Sequence, residues 1–312
     1  MRVIFLGTPA FAVPTLEGLV EAGHAVVCVV TQPDRPRGRG QQLTASPVKA
    51  AALRLGLPVY QPERVRRPEA VARLAELAPE VMVVVGYGQI IPQAVIDIPA
   101  HGIINVHASL LPKYRGAGPV QWAIANGETR TGVTTMRIDA GLDTGEMLLK
   151  AETDIGAEET AVELGARLAG MGAALLVETL QRLDTITPEK QDGTQASYAP
   201  LLTKEDGRID WRLPAQSIHN RVRGFQPWPG AYTGFRGQQL HIWKSRVAGG
   251  DGRAGGEPGR LLPGPLRVVA GEGALELIEV QLEGRKRIGA EAFANGQHIG
   301  GGEIVGESVL GE

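Results

Sequence analysis

Cysteine is almost missing from this chain: one residue, Cys28, in 312. A lone thiol builds no disulfide framework, which fits a reducing compartment. Cys28 lies in the apolar run Ala25–Val30 and is expected to be a small buried hydrophobe without a catalytic role. An excess of either charge is missing too. Lysine and arginine number 32, aspartate and glutamate 34, for a formal net charge of -2. No global basic field advertises nucleic acid. No apolar stretch approaches the length that spans a bilayer, so no membrane partner is expected. The glycine fingerprint of dinucleotide folds is absent. The first strand ends in Gly7-Thr8-Pro9 rather than GxGxxG, and no GxxxxGK[ST] occurs, which disfavours NAD and ATP. His24, His101, His219, His241 and His298 show no ligand spacing, so no metal site is expected. The chain enters a strand at Arg2, which leaves no room for a signal or transit peptide and points to the cytoplasm.

What is present is a strong alternation. Val3–Leu6, Ala25–Val30, Pro58–Tyr60, Val81–Val85 and Ile103–His107 are short apolar runs that read as strands. Ser46-Pro47 reads as a helix N-cap followed by a first-turn proline, opening a helix through Leu55. Thr8-Pro9 gives the same signal, and Pro68–Leu77 reads as a further helix. Strands alternating with helices imply βαβ units and a mostly parallel sheet. Thr131–Asp139 and Glu146–Ala151 read as further strands. A long helix is predicted from about Glu158 to Leu183, with Leu164, Leu168, Met171, Leu175 and Leu176 toward the core. Beyond it, Thr187-Pro188 and Gln191–Gln195 are polar and turn-forming. We expect an α/β domain over residues 1–188, a linker over 189–206 and a second domain over 207–312. In the last, the short runs Gln239–Trp243, Leu266–Val269 and Ala274–Val280, separated by glycine-rich stretches, predict a small β-barrel.

Chemistry concentrates at the end of the strand Ile103–His107. Asn105 and His107 are two residues apart, so both side chains face one side. Open α/β sheets bind ligands at that carboxyl edge. An amide donor beside a proton carrier is what acyl transfer requires. A polar loop, Ser109–Gly116, follows almost at once. Asp143 stands in the tight turn Asp139–Gly145. It is either a structural turn residue or the carboxylate that orients His107, and spacing leaves both open. The turn starts like a calcium loop but does not continue as one. After the second strand, the loop Gln32–Gly40 carries Arg35, Arg37 and Arg39. It is either a solvated surface loop or an arginine cluster that grips phosphates near the site.

Gly7-Thr8-Pro9, Thr31–Gly40, Ser46–Lys49, Val81–Pro92, Asn105–Gly116, Gly141–Gly145, Arg208–Trp211 and Phe225–Gly230 together resemble the methionyl-tRNA formyltransferases, over nearly the whole chain. The Asn-x-His, SLLPKYRG and GLDTG segments are specific to folate-dependent formyltransferases. The arginine loop and the second domain favour the tRNA enzymes among them. The resemblance implies a Rossmann-like formyltransferase domain followed by an OB-fold-like, tRNA-binding domain. It implies transfer of formyl from 10-formyltetrahydrofolate to the α-amine of methionine on initiator methionyl-tRNA, for translation initiation. Asn105, His107 and Asp143 match the family's catalytic trio. Ser109, Leu110, Leu111 and Pro112, with Gly86, Tyr87, Gly88, Gln89 and Ile90, match its folate contacts. Arg39 matches the arginine of its tRNA-inserting loop, and with Arg35 and Arg37 it makes up the expected tRNA contacts. In the second domain, Arg221, Arg223, Lys244, Arg285, Lys286 and Arg287 are candidates for a basic face. Nothing in the sequence suggests an obligate interface, so a monomer is expected. An amino-sugar-nucleotide formyltransferase and a non-catalytic tRNA- or folate-binding protein stay open as alternatives.

Overall fold

Continuous apolar strands need cover on both faces, and the fold supplies it. In a computed structural model, residues 1–37, 42–249 and 256–306 are described. The chain divides into two compact units. The first comprises Met1–Pro119, Arg130–Asp154 and Gly165–Pro200; the second comprises Val120–Thr129, Ile155–Leu164 and Leu201–Glu312.

The first unit is built on a seven-stranded sheet. Its order is Met147–Asp154, Arg130–Arg137, Ile103–His107, Val81–Val85, Arg2–Gly7, Ala25–Val30 and Val59–Tyr60. The strands from Ile103–His107 to Val59–Tyr60 are mutually parallel. The other two pair antiparallel at the edge. This is the mostly parallel sheet that the alternation predicts, in the Rossmann-like arrangement that the resemblance implies. Val81–Val85 and Ile103–His107 are buried along their whole length. On one face Ile4, Leu6, Val30, Met82 and Val84 pack with Leu74 of the helix Pro68–Glu76.

The helix Pro47–Arg54 starts as expected. Ser46 Oγ accepts the Lys49 amide at 3.0 Å, and proline occupies the first turn. Thr8 does not cap. A 3-10 turn, Ala10–Ala12, follows Pro9 and leads into the helix Val13–Glu21. Thr8 Oγ1 instead donates to the Tyr87 carbonyl at 2.9 Å, tying the first strand's exit to a neighbouring one. The competing acceptor won because it lies beside the chain where two parallel strands end. The long helix spans Ala161–Gln181. No helix of the described residues is long and apolar enough to cross a membrane.

The second unit carries an antiparallel sheet. Its order is Ala231–Phe235, Gln238–Val247, Ala274–Leu282, Arg267–Val269 and Leu261–Leu262, with Ile288–Gly289 paired on Ala274–Leu282. The 302–306 segment bridges the two ends of this order. The Leu261 amide donates to the Glu303 carbonyl at 2.7 Å, and the Gly306 amide to the Gly234 carbonyl at 2.9 Å. Trp211, Ile218, Phe235, Leu240, Leu275 and Phe293 belong to its core. Two helices, Ala215–Gly224 and Ala290–Gly296, depart from the all-β expectation. In the first, Ile218 and Val222 form a buried stripe one turn apart amid polar residues, too faint a period to read.

Candidate functional site

Parallel strands finish at a common edge. Val84 lies opposite Asn105, so the chain leaving Val85 and the chain leaving His107 emerge side by side. Asn105 and His107 are only 7% and 6% exposed, and both reach the same carboxylate. Asn105 Nδ2 donates to Asp143 Oδ1 at 3.5 Å. His107 Nδ1 stands 3.7 Å from Asp143 Oδ2. The alternation along the strand thus places the pair as predicted. The turn Asp139–Gly145, which the sequence left with two readings, brings Asp143 to them.

The imidazole is fixed from its other side. His107 Nε2 lies 2.8 Å from the Tyr114 carbonyl. A carbonyl only accepts, so Nε2 carries a proton, and Nδ1 is the ring nitrogen that faces Asp143. Asp143 Oδ2 also accepts the Gly116 amide at 2.9 Å. Gly116 has φ 116°, and a Cβ there would stand 2.6 Å from the Ala199 carbonyl oxygen, so only glycine brings its amide to the carboxylate. Asp143 itself adopts φ 51°, a left-handed conformation that short polar side chains tolerate. Asp139 shapes the turn by accepting the Gly141 amide at 3.0 Å and the Thr144 hydroxyl at 2.7 Å.

Sequence reasoning missed the residues that hold this arrangement. Gln191 Nε2 donates to the carbonyls of Asp143 and Gly145, both at 2.8 Å. Arg115 donates to Gln191 Oε1 from Nε at 3.0 Å and from Nη2 at 2.7 Å. The Tyr114 amide donates to Ser197 Oγ at 2.9 Å, and Arg115–Gly116 pairs with Tyr198–Ala199 in parallel. Arg115 lies within the SLLPKYRG segment. Gln191 lay in a stretch whose composition reads as a linker, and no local signal singled it out.

A formyl transferase family model matches residues 1–180, and a formyl transferase C-terminal domain model matches residues 201–298. The chain belongs to the formyl transferase family. It is 69% identical to a methionyl-tRNA formyltransferase from Solibacter usitatus, over 99% of this chain and 100% of that one. It is 52% identical to one from Geobacter metallireducens, over 95% and 96% of the two chains. Among solved structures it is similar to WlaRD, a sugar 3N-formyl transferase crystallised in the presence of dTDP and 5-N-formyl-THF. That match has TM-score 0.67 at 20% identity, over 92% of this chain and 99% of that one. HypX from Aquifex aeolicus in complex with tetrahydrofolic acid matches with TM-score 0.63 at 16% identity, over 94% of this chain and 48% of that one. These two likenesses show the shared fold.

In this formyl transferase the segment Gly86–Ile90 leaves the strand beside Asn105. Gly86 and Gly88 have φ 57° and 83°. The Tyr87 ring is turned into the core, where burial pushes its hydroxyl well above the usual tyrosine range. Gln89 is turned aside: its Oε1 accepts the Val65 amide at 2.8 Å. Ile90 is 92% exposed. Ser109 is buried, and its hydroxyl closes the following loop on the Lys113 carbonyl at 2.6 Å. Leu111 is buried with Met136 and Met147, while Leu110 and Pro112 are partly exposed. The open surface of these segments is therefore their backbone with Ile90, Leu110 and Pro112.

The arginine loop is a two-stranded ribbon, Arg35–Arg37 against Gln42–Thr44. Arg35 is exposed, and Arg39 lies outside the described residues. Asp34 anchors the ribbon's base. Hydrogen bonds from Lys49 Nζ at 2.5 Å and Gln61 Nε2 at 2.8 Å hold its carboxyl below the usual carboxylate range. Of the candidate basic face, Arg223 drops out. It is 7% exposed, and its guanidinium bonds Asn220 and the carbonyls of Gly156 and Glu159 at 3.0–3.1 Å. Its guanidinium is committed to these partners rather than to an outward-facing surface. Arg287 stacks over the Trp243 ring and pairs with Glu279. Lys244, Arg285 and Lys286 are exposed.

Proposed function

We propose that this chain transfers the formyl group of 10-formyltetrahydrofolate to the α-amine of methionine on initiator methionyl-tRNA, for translation initiation. The convergence of Asn105 and His107 on Asp143 at the sheet's carboxyl edge carries the reaction. Likeness along the full chain to methionyl-tRNA formyltransferases supports the acceptor. The folate supplies an electrophilic formyl carbon. Ile90, Leu110 and Pro112 suit its ring system, with apolar surface beside the polar trio.

As the amine attacks, negative charge grows on the formyl oxygen. Asn105 spends one N–H on Asp143 and offers the other to that oxygen. His107, held through Nε2 by the Tyr114 carbonyl, takes the amine proton at Nδ1. Asp143 faces that nitrogen and balances the imidazolium. His107 then gives the proton to the departing folate nitrogen as its bond to the formyl carbon breaks.

Residues 1–188, with the segment 189–200 that pairs onto them, would then form the catalytic domain, and 207–312 the tRNA-binding domain. The bridged sheet supports an OB-fold-like barrel there. Arg35, Arg37 and Arg39 would grip tRNA phosphates, helped by Lys244, Arg285 and Lys286. We read the protein as a cytoplasmic monomer. The test is formyl transfer by the purified protein to initiator methionyl-tRNA, elongator methionyl-tRNA and an amino sugar nucleotide in parallel. Formylation of the initiator alone is expected. Formylation of the sugar instead would keep the chemistry and overturn the acceptor.

A further inference from the structure

Arg115 is 6% exposed, yet among the described residues its guanidinium pairs with no carboxylate. Its Nε and Nη2 converge on the neutral Oε1 of Gln191. A buried guanidinium is better compensated by a carboxylate. A glutamate at 191 would provide that and would strengthen the pair. It would also lose the one thing a glutamine adds there, an N–H donor. Gln191 Nε2 donates to the Asp143 and Gly145 carbonyls, both at 2.8 Å, which uses both of its N–H bonds. The two accepting carbonyls flank Thr144 in the turn that carries the trio's carboxylate. Gln191 therefore spans from the loop after His107 to the turn of Asp143.

We propose that Gln191, oriented by Arg115, is a positioning residue for formyl transfer. It sets the Asp139–Gly145 turn so that the Asp143 carboxylate meets His107 Nδ1 and the Gly116 amide. The proposal rests on the reading of Asn105, His107 and Asp143 as the catalytic groups.

Gln191→Glu separates positioning from stability. The variant keeps the shape and gives Arg115 a carboxylate, but it points an acceptor at two carbonyls. In the full-length protein kcat is expected to fall between about tenfold and 10²-fold, the scale of a sub-ångström to ångström misplacement. KM for folate and for tRNA should stay within about twofold, the pattern of an interaction that acts on the transition state alone. The melting temperature should stay close to that of the wild type, because the new charge pair with Arg115 offsets the two lost donors. Unchanged kcat, or a loss confined to KM, overturns the proposal. If Gln191→Glu does not fold, the double variant Arg115→Met/Gln191→Met removes the buried charge with its partner, and the same kcat loss is expected.

A double-mutant cycle with Asp143→Asn adds the readout that a merely structural role would not move. Gln191 acts through Asp143, so Gln191→Glu should cost little more once Asp143→Asn is present. Full additivity of the two losses overturns the clamp. Full activity of Asp143→Asn alone instead overturns the catalytic reading beneath it, so the two failures are distinguishable.

Discussion

Gly145→Ala adds a single methyl group beside the proposed catalytic carboxylate. The Cβ would stand 1.9 Å from the Arg137 carbonyl oxygen and 2.9 Å from its carbon. Ordinary contact begins near 3.4 Å, so turn or strand must give by about 1.5 Å. The strand is poorly placed to move, because Arg137 lies opposite Ile104 in the sheet that carries Asn105 and His107. The turn moves instead, and Asp143 goes with it. The His107 Nδ1 to Asp143 Oδ2 distance, now 3.7 Å, would open toward about 5 Å, and the Gly116 amide would lose its 2.9 Å bond. Misplacement of a catalytic group by an ångström costs about 10² in rate. Overpacking of this kind costs about 1–3 kcal/mol of stability. The assay is formylation of initiator methionyl-tRNA at saturating folate, with a thermal melt on the same preparation. Turnover within about threefold of wild type would falsify the argument that the turn's position limits the rate.

Asn105→Ala and His107→Ala should each lower kcat by about 10²–10³, with circular dichroism unchanged; near-normal turnover in either would remove that side chain from the mechanism. Burial, with Arg223 nearby, lowers the pKa of His219 from the ordinary 6.5. Its contribution to stability is therefore intact above pH 6.5 and is lost as the pH falls from 6.5 through the lowered folded value. Melting temperatures between pH 7.5 and 5.5 should fall, and His219→Asn should flatten that fall; equal slopes in the two proteins would discard the assignment. Ser46→Ala removes the acceptor of the Lys49 amide at 3.0 Å and the partner of the buried Thr31 hydroxyl at 2.7 Å. Urea unfolding should show a loss of about 1–3 kcal/mol, and a change below about 0.5 kcal/mol would mean that water replaces the cap.

The readings that succeeded rest on forces local to a few residues. Val81–Val85 and Ile103–His107 were legible because both faces are buried, and a strand covered on both sides has no reason to alternate. Asn105 and His107 were legible as a pair because a strand repeats every two residues. Asp143 became an acid partner only through tertiary structure and family resemblance, since its turn serves equally well as plain structure. Gln191 was not legible. A glutamine among Asp192, Gly193 and Thr194 looks the same whether it meets water or two buried carbonyls. Thr8 failed as a cap because the Tyr87 carbonyl, 79 positions away, competes for its hydroxyl. The helix Ala215–Gly224 was hidden because its interior includes polar His219, Asn220 and Arg223, which bury through hydrogen bonds rather than apolarity.

The dependence of the Asp143 turn on Gln191, and of Tyr114 on Ser197, has a consequence for how the enzyme comes into being. On the ribosome, Asn105, His107 and Asp143 are all polymerised well before Gln191 appears. Until the stretch through Ala199 has emerged, neither the Tyr198–Ala199 partner of Arg115–Gly116 nor the Ser197 hydroxyl that holds the Tyr114 amide exists. A fragment ending at Leu180 would contain every proposed catalytic side chain and the complete seven-stranded sheet. It would still lack the segment that aims them. If the proposed roles of Gln191 and Ser197 hold, the nascent chain would acquire its activity only after its whole sheet and longest helix have been made.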